Sequence, residues 1–279
     1  MTLESGIETV RAALVGAYLK RLKMPTIARS YAQIAREARQ AEKSHEEFLL
    51  ALLQQEIAQR EVSRQKMRLA QARFPVPKTL DTFQFSAVPS LNKAAVLELA
   101  RGSYVAEKEV LILIGGSGTG KTHLATALGV AACQQGKRVR FIGATELVNR
   151  LLEAHAHNQV NQVLGGFQKL DLVIVDELGF VPFASPGAEL LFEFFSEAYE
   201  RRALVMTTNL PFAEWTTVFG NERLTAALLD RLTHRCTILE FRAESFRLKQ
   251  SLQRQASKQE HSAVPSQPIS AESTTDSAE

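Results

Sequence analysis

The chain of 279 residues is short of cysteine, of long apolar runs and of any leader-like start, and each shortage removes a class of protein. Its two cysteines, Cys133 and Cys236, stand far apart and form no C-x-x-C pair. That argues against a disulfide framework or a cysteine zinc site, and both read as core thiols. No apolar run approaches the length of a bilayer-spanning helix, and the opening MTLESGIETV lacks a basic segment followed by an apolar one. A soluble, cytoplasmic chain with no membrane partner is therefore expected. No fixed-period repeat is present. His155 and His157 flank an alanine on an expected helix and read as solvent-facing rather than metal-binding.

What is present begins with an uneven charge. The net charge of +3 hides 14 basic and 8 acidic side chains in residues 1–80, 18 of each in 81–255, and one basic against four acidic in 256–279. A positively charged N-terminal part is compatible with an anionic partner such as nucleic acid and equally with a solvated helical surface. With 45% hydrophobic and 23% charged residues, the chain is long enough for one large core plus a smaller appended domain.

Leu3, Ile7, Val10, Leu14 and Tyr18 recur at helical spacing, as do Ile27, Tyr31, Ile34 and Ala38 after Met24-Pro25. Ser44-His45-Glu46-Glu47 resembles a capping box ahead of Phe48, Leu49, Leu52, Leu53 and Ile57. These stripes predict a small helical bundle over 1–73, its last helix stopped by Phe74-Pro75-Val76-Pro77, and a linker over 74–90. From about residue 110 short β-branched runs (110–114, 139–142, 172–175, 203–207 and 237–239) alternate with helical stretches. Such alternation predicts an α/β domain over 91–255, a parallel sheet covered by helices on both faces. Residues 256–279 are rich in Ser, Thr, Gln, Pro and Glu and are expected to form a disordered acidic tail.

The first β-branched run, Val110-Leu111-Ile112-Leu113-Ile114, leads directly into Gly115-Gly116-Ser117-Gly118-Thr119-Gly120-Lys121-Thr122. This is the G-x-x-x-x-G-K-[ST] phosphate loop in its required strand-to-helix setting. Glycines let successive backbone N–H groups point at one phosphate, and the helix that starts near Lys121 adds its positive end. Lys121 is expected to reach the β- and γ-phosphates of ATP and Thr122 to ligate Mg²⁺; the next residue, His123, is counted with the cofactor-binding set.

A second run, Leu172-Val173-Ile174-Val175, ends in Asp176-Glu177. Asp176 is placed to hold the hydration shell of Mg²⁺, and Glu177 to orient and deprotonate the attacking water. A third run ends at Asn209, whose amide can bridge the γ-phosphate and that water. In Leu229-Asp230-Arg231-Leu232-Thr233-His234-Arg235, Arg231 is assigned to the transition-state charge on a neighbouring subunit's nucleotide, and Arg235 to that or to a carboxylate. Arg247 is assigned to the phosphates of its own subunit's nucleotide.

Taken in order, GGSGTGKTHLA, LVIVDELG, VMTTNLPF, LLDRLTHR and ESFRLKQS, with the linker FPVPKTLDTFQF, resemble the IstB family of insertion-sequence ATP-binding proteins, over roughly residues 5–255. The resemblance implies a five-stranded AAA+ P-loop core of the initiator clade, which also holds DnaC-type helicase loaders. It implies that Asp176 and Glu177 are the Walker B pair, Asn209 the first sensor, Arg231 the trans arginine finger and Arg247 the second sensor. By similarity, the chain is an ATPase that self-assembles as a homo-oligomer on double-stranded DNA and cooperates with a separate cognate transposase. A helical insertion after the second strand fits residues 145–167. DNA contacts are expected from it or from the bundle, where Arg60, Arg64 and Arg68 are the test positions. The competing readings are a helicase loader, a DNA-binding adaptor that uses ATP only as a switch, and a small-molecule kinase.

Overall fold

The computed structural model describes residues 3–179 and 185–246, so that Arg247 and the segment 256–279 lie outside the described residues. Three helices come first: α1 (Leu3–Arg21), α2 (Pro25–Gln40) and α3 (His45–Ala72). Pro25 opens α2, where its missing N–H costs nothing. Ser44 caps α3 with both arms of the capping box in place: its hydroxyl accepts from the Glu47 N–H at 3.2 Å, and the Glu47 carboxylate accepts from the Ser44 N–H at 2.8 Å. Arg73 ends the helix in a left-handed conformation, φ 58°.

The join between α2 and α3 is polar. Glu56, 3% exposed, accepts hydrogen bonds from the N–H groups of Thr26 (3.0 Å) and Ile27 (3.1 Å) and from Arg60 Nε (2.8 Å). A carboxylate on α3 thus caps α2 from outside and meets its positive end. Burial raises the pKa of Glu56, but the bonds from Ile27, Arg60 and Thr26 outweigh it and hold it below the usual value. The stripes seen in the sequence do form helices, yet much of their apolar face stays open. Val10, Leu14 and Tyr18 of α1 are 69%, 51% and 54% exposed, and Ile57 of α3 is 67% exposed.

After α4 (Lys93–Ala100) and α5 (Ser103–Ala106) comes the sheet. Its strands and helices alternate: β1 (Val110–Gly115), α6 (Lys121–Gln134), β2 (Val139–Gly143), α7 (Ala144–Ala156), α8 (Val160–Gln168), β3 (Leu172–Leu178), α9 (Ser185–Ala198) and β4 (Ala203–Thr208). Then follow α10 (Trp215–Phe219), α11 (Glu222–His234) and β5 (Cys236–Phe241). All pairings are parallel and the spatial order is β2-β3-β4-β1-β5. Hence the expected α/β class with a five-stranded parallel sheet and preceding helices is what the chain forms.

The central strands β3, β4 and β1 carry Val173, Ile174, Val175, Leu204, Val205, Leu111, Ile112 and Leu113, all fully buried. Side chains of this kind each contribute about 1.5–3 kcal/mol on leaving water. One core layer packs under α7, α9 and α11, the other under α6 and the linker segment. That segment is not a tether: Phe83, Val88 and Leu91 are buried in the second layer, and Phe74 meets Phe141 edge to face at 6.2 Å. Ala72, at the end of α3, is wholly buried there as well. No helix among the described residues is long and apolar enough to cross a membrane.

Replacing Glu56 by Gln is expected to lower stability by about 2 kcal/mol, the worth of charge-assisted bonds to a buried acceptor. Because its folded pKa is depressed, the contribution is fully present above the ordinary glutamate value of about 4.3 and is lost as pH falls through the lower folded value. Urea denaturation of wild type and Glu56→Gln at pH 7 and in acid measures it. The gap between the two proteins should close in acid.

Candidate nucleotide site

Strands β1, β3 and β4 end side by side, and the crevice at their carboxyl ends is where an open parallel sheet places a ligand. A cleft of about 620 Å³ lies there. Its floor is the loop from Gly115 to Gly120, which leads into α6 at Lys121. Gly118 and Gly120 adopt φ of 75° and 104°, and a Cβ on Gly118 would stand 2.2 Å from the Ser245 hydroxyl. Only glycine fits. Gly116, Ser117 and Thr119 complete the loop; the Thr119 hydroxyl, on a side chain 3% exposed, donates to the Gly116 carbonyl at 2.9 Å. Lys121 Nζ lies across the mouth, donating to the carbonyls of Gly115 (2.6 Å) and Gly116 (2.7 Å).

Asp176 is the convergence point. Its Oδ1 accepts from the Thr122 hydroxyl on α6 at 3.0 Å and from the Thr207 hydroxyl on β4 at 2.5 Å. Thr207 was visible in the sequence only as part of a strand, since a buried threonine in a β-branched run carries no signal of its own. The same Thr207 oxygen accepts the Glu177 N–H at 2.9 Å.

Glu177 itself sits at φ 60°, a left-handed conformation that costs a side-chain-bearing residue roughly 1–2 kcal/mol. The β3–β4 register slips at the same place, three steps from Val175 to Leu178 against two from Met206 to Thr208. One residue is therefore extra, a bulge. Its effect is to leave Asp176 7% exposed while Glu177 is exposed and lines the cleft beside Thr208 and Asn209.

His123 lines the cleft too, but its ring is engaged from outside the phosphate loop. Nε2 stands 3.1 Å from the Thr82 hydroxyl and 3.4 Å from the Thr79 carbonyl, and the ring meets Phe83 edge on at 5.2 Å. Burial pulls its pKa below the usual histidine value, against the Thr79 bond and with the charge of Lys78. The histidine thus hooks the linker segment over α6. That segment supplies the wall opposite the loop, with Lys78, Thr82, Phe83, Gln84, Ala87 and Val88. Sequence reading treated it as a spacer; the clue it offered was the spaced aromatics of FPVPKTLDTFQF.

Arg231 does not join this cleft. It is exposed on α11, donates to the Ser196 hydroxyl of α9, and lies over the Phe192 ring at 5.2 Å. Arg235 caps the end of α11, and its carbonyl accepts from the Val110 N–H at 3.0 Å. The structure brings together Gly115 to His123, Asp176, Glu177 and Asn209, leaves Arg231 on another face, and does not describe Arg247.

Such a cleft can hold a triphosphate by backbone N–H groups and one lysine, with two hydroxyl-bonded oxygens for a cation and a carboxylate facing the phosphate loop. Fold and site define a P-loop nucleotide-binding protein of the AAA+ type. The chain belongs to the IstB-like ATP-binding protein family, whose model matches residues 17–254, and it is an ATP-binding protein. It is 38% identical over 246 residues to the "Putative insertion sequence ATP-binding protein y4iQ/y4nD/y4sD" of Sinorhizobium fredii, covering 88% of this chain and 83% of that protein. It is also 38% identical over 232 residues to the "Insertion sequence IS21 putative ATP-binding protein" of Pseudomonas aeruginosa, covering 83% and 88%. In fold it is similar to AMPPCP-bound DnaA from Aquifex aeolicus: TM-score 0.52, 19% identity, 66% of this chain and 56% of that one.

Thr207→Val keeps the shape but removes both bonds. Leaving the Glu177 N–H and one lone pair of Asp176 unpaired is expected to cost about 1–3 kcal/mol. Thermal or urea unfolding measures it, and a change under about 0.5 kcal/mol would mean the hydroxyl holds nothing in place.

Proposed function

We propose that this chain hydrolyses ATP while assembled as a homo-oligomer on double-stranded DNA, and that it thereby regulates or recruits a separate transposase. The observation that carries the hydrolytic part is the convergence of Thr122, Asp176, Glu177 and Asn209 on the rim of one phosphate loop. Binding alone would need only the loop and Lys121. The DNA and transposase parts rest on the insertion-sequence names of relatives that match most of the chain.

In this reading the loop N–H groups and Lys121 hold the β- and γ-phosphates, and Asn209 steers the attacking water. The Glu177 carboxylate takes its proton while the oxygen bonds to the γ-phosphorus and the bond to the β-phosphate oxygen breaks, giving ADP and phosphate. The Thr122 hydroxyl and the Asp176 carboxylate are hard oxygen donors 3.0 Å apart, a set that fits Mg²⁺, which takes few protein ligands. Mg²⁺ bound there supplies positive charge at the phosphate oxygens. Arg231, exposed and outside its own cleft, fits a part in a neighbour's site, which supports shared sites in an oligomer. Arg247 is kept as the cis phosphate contact on the resemblance alone.

The deciding measurement is ATP hydrolysis with and without duplex DNA, with size followed by light scattering. Wild type is expected to assemble and turn over faster on DNA. Glu177→Gln should still bind ATP but turn over at least about 100-fold more slowly. Arg231→Ala should be inactive alone and recover when mixed with Lys121→Ala subunits. Wild type that hydrolysed ATP as a monomer indifferent to DNA would sink the reading.

A further inference from the structure

Outside the nucleotide cleft, a second concavity of about 140 Å³ opens at the start of α7, lined by Arg73, Arg140, Gly143, Glu146 and Arg150 among others. Its three arginines come from three elements: the residue that ends α3, the edge strand β2, and the second turn of α7. Three like charges around so small a space repel one another. Burial first, and then the charges of Arg73 and Arg150, hold the Arg140 guanidinium below its usual value. The one carboxylate in the cavity wall, Glu146, stands 3.8 Å from Arg150, too far for a good hydrogen bond.

Among the described residues neither Arg73 nor Arg140 forms an ion pair. The α3 arginines named earlier behave differently. Arg60 is bound to Glu56 at 2.8 Å and to the Lys23 carbonyl at 2.6 Å, and Arg64 and Arg68 share Glu61 at 3.8 and 3.1 Å. Their charge is matched within the chain. The cluster at α7 is the one whose charge is not.

The backbone there is open too. α7 has 13 residues, its N-cap Gly143 makes no side-chain capping bond, and a Cβ built on Gly143 meets nothing within 4 Å. Arginine forks and helix N–H groups recognise the same chemistry, a tetrahedral anion.

We infer that Arg73, Arg140 and Arg150 form a phosphate-binding site, and that the phosphate it takes is a phosphodiester of the duplex DNA on which the protein assembles. The inference rests on the DNA-bound reading above. Size favours a single phosphate group: the cavity is about 140 Å³ against about 620 Å³ for the nucleotide cleft, too small for a nucleoside as well. Position favours the DNA backbone over a free ion, since Arg73 and Arg150 are exposed at the rim, where a polymer can pass. Gly143 also pairs in register with Asp176 on β3, so the phosphate seat is one strand spacing, about 4.8 Å, from the carboxylate of the nucleotide cleft. DNA held there touches the same strand pair that orients Glu177.

The test compares full-length wild type, Arg73→Ala/Arg150→Ala, Glu146→Gln and the control Arg64→Ala for binding to a labelled random-sequence duplex across a salt series, with ATP affinity as the check on folding. The arginine pair is expected to weaken DNA binding at least tenfold and to reduce the salt slope by about two, one for each lost phosphate contact. Glu146→Gln is expected to tighten binding about threefold, a gain that misfolding cannot mimic. Arg64→Ala should change neither. Wild type that binds DNA with both site variants unchanged would overturn the site and leave the DNA-bound reading standing; wild type that does not bind DNA at all would remove both. In a parallel arm, inorganic phosphate is titrated at constant ionic strength. If it protected wild type but not the arginine variant from thermal unfolding while DNA affinity stayed equal, the site would be one for free phosphate and the DNA assignment would fall.

Discussion

The hydroxyl of Thr207 lies where three elements have to agree. It donates to Asp176, which also accepts from Thr122, so that α6, β3 and β4 are registered on one carboxylate oxygen. It also accepts the Glu177 N–H and so steadies a left-handed residue that the strand would otherwise resist. A buried carboxylate needs such donors, because an ionised oxygen without partners costs more than the fold can readily offset. The extra residue in β3 then separates two adjacent acids: one turned inward to the threonines, the other out to the phosphate loop. A regular strand would also put neighbours on opposite faces, but both inside the core layers that cover this sheet.

The phosphate loop, the five strands and the paired acids were legible in the sequence because each is a local pattern: a spacing of glycines, a run of β-branched residues, two carboxylates at a strand end. The helices of the first 72 residues were legible for the same reason, through period and capping. What covers their apolar faces was not. Periodicity reports which side of a helix is apolar, and Val10, Leu14 and Ile57 remain exposed all the same. Thr207 was invisible as anything but strand, since its part depends on a bulge two residues from a neighbouring strand's end. The linker failed in the opposite direction. Prolines and broken periodicity made it look like a spacer, although Phe83 and Val88 are buried and wall the nucleotide cleft.

That linker gives the cleft two owners. One wall belongs to the sheet and its loop; the other belongs to a segment that is continuous with α3 and is hooked over α6 by His123. Nucleotide enclosed between them contacts both the strand ends and the stretch of chain leading back to the N-terminal helices. The arginine concavity repeats the arrangement on a smaller scale, with Arg73 from the end of α3 facing Arg140 and Arg150 from β2 and α7. Both sites therefore straddle the same seam.

With 28 residues, α3 is roughly 42 Å long at 1.5 Å per residue. Its base, Ala72, is buried against the sheet layer, while its other end carries α2 through Glu56. Such a rod works as a lever whose fulcrum is the seam between the two sites. A tilt of ten degrees at the fulcrum, small beside ordinary hinge motions, would sweep the far end through roughly 7 Å for a helix of that rise per residue. Subångström adjustments around a phosphate at the base can thereby become displacements as large as a side chain at the tip.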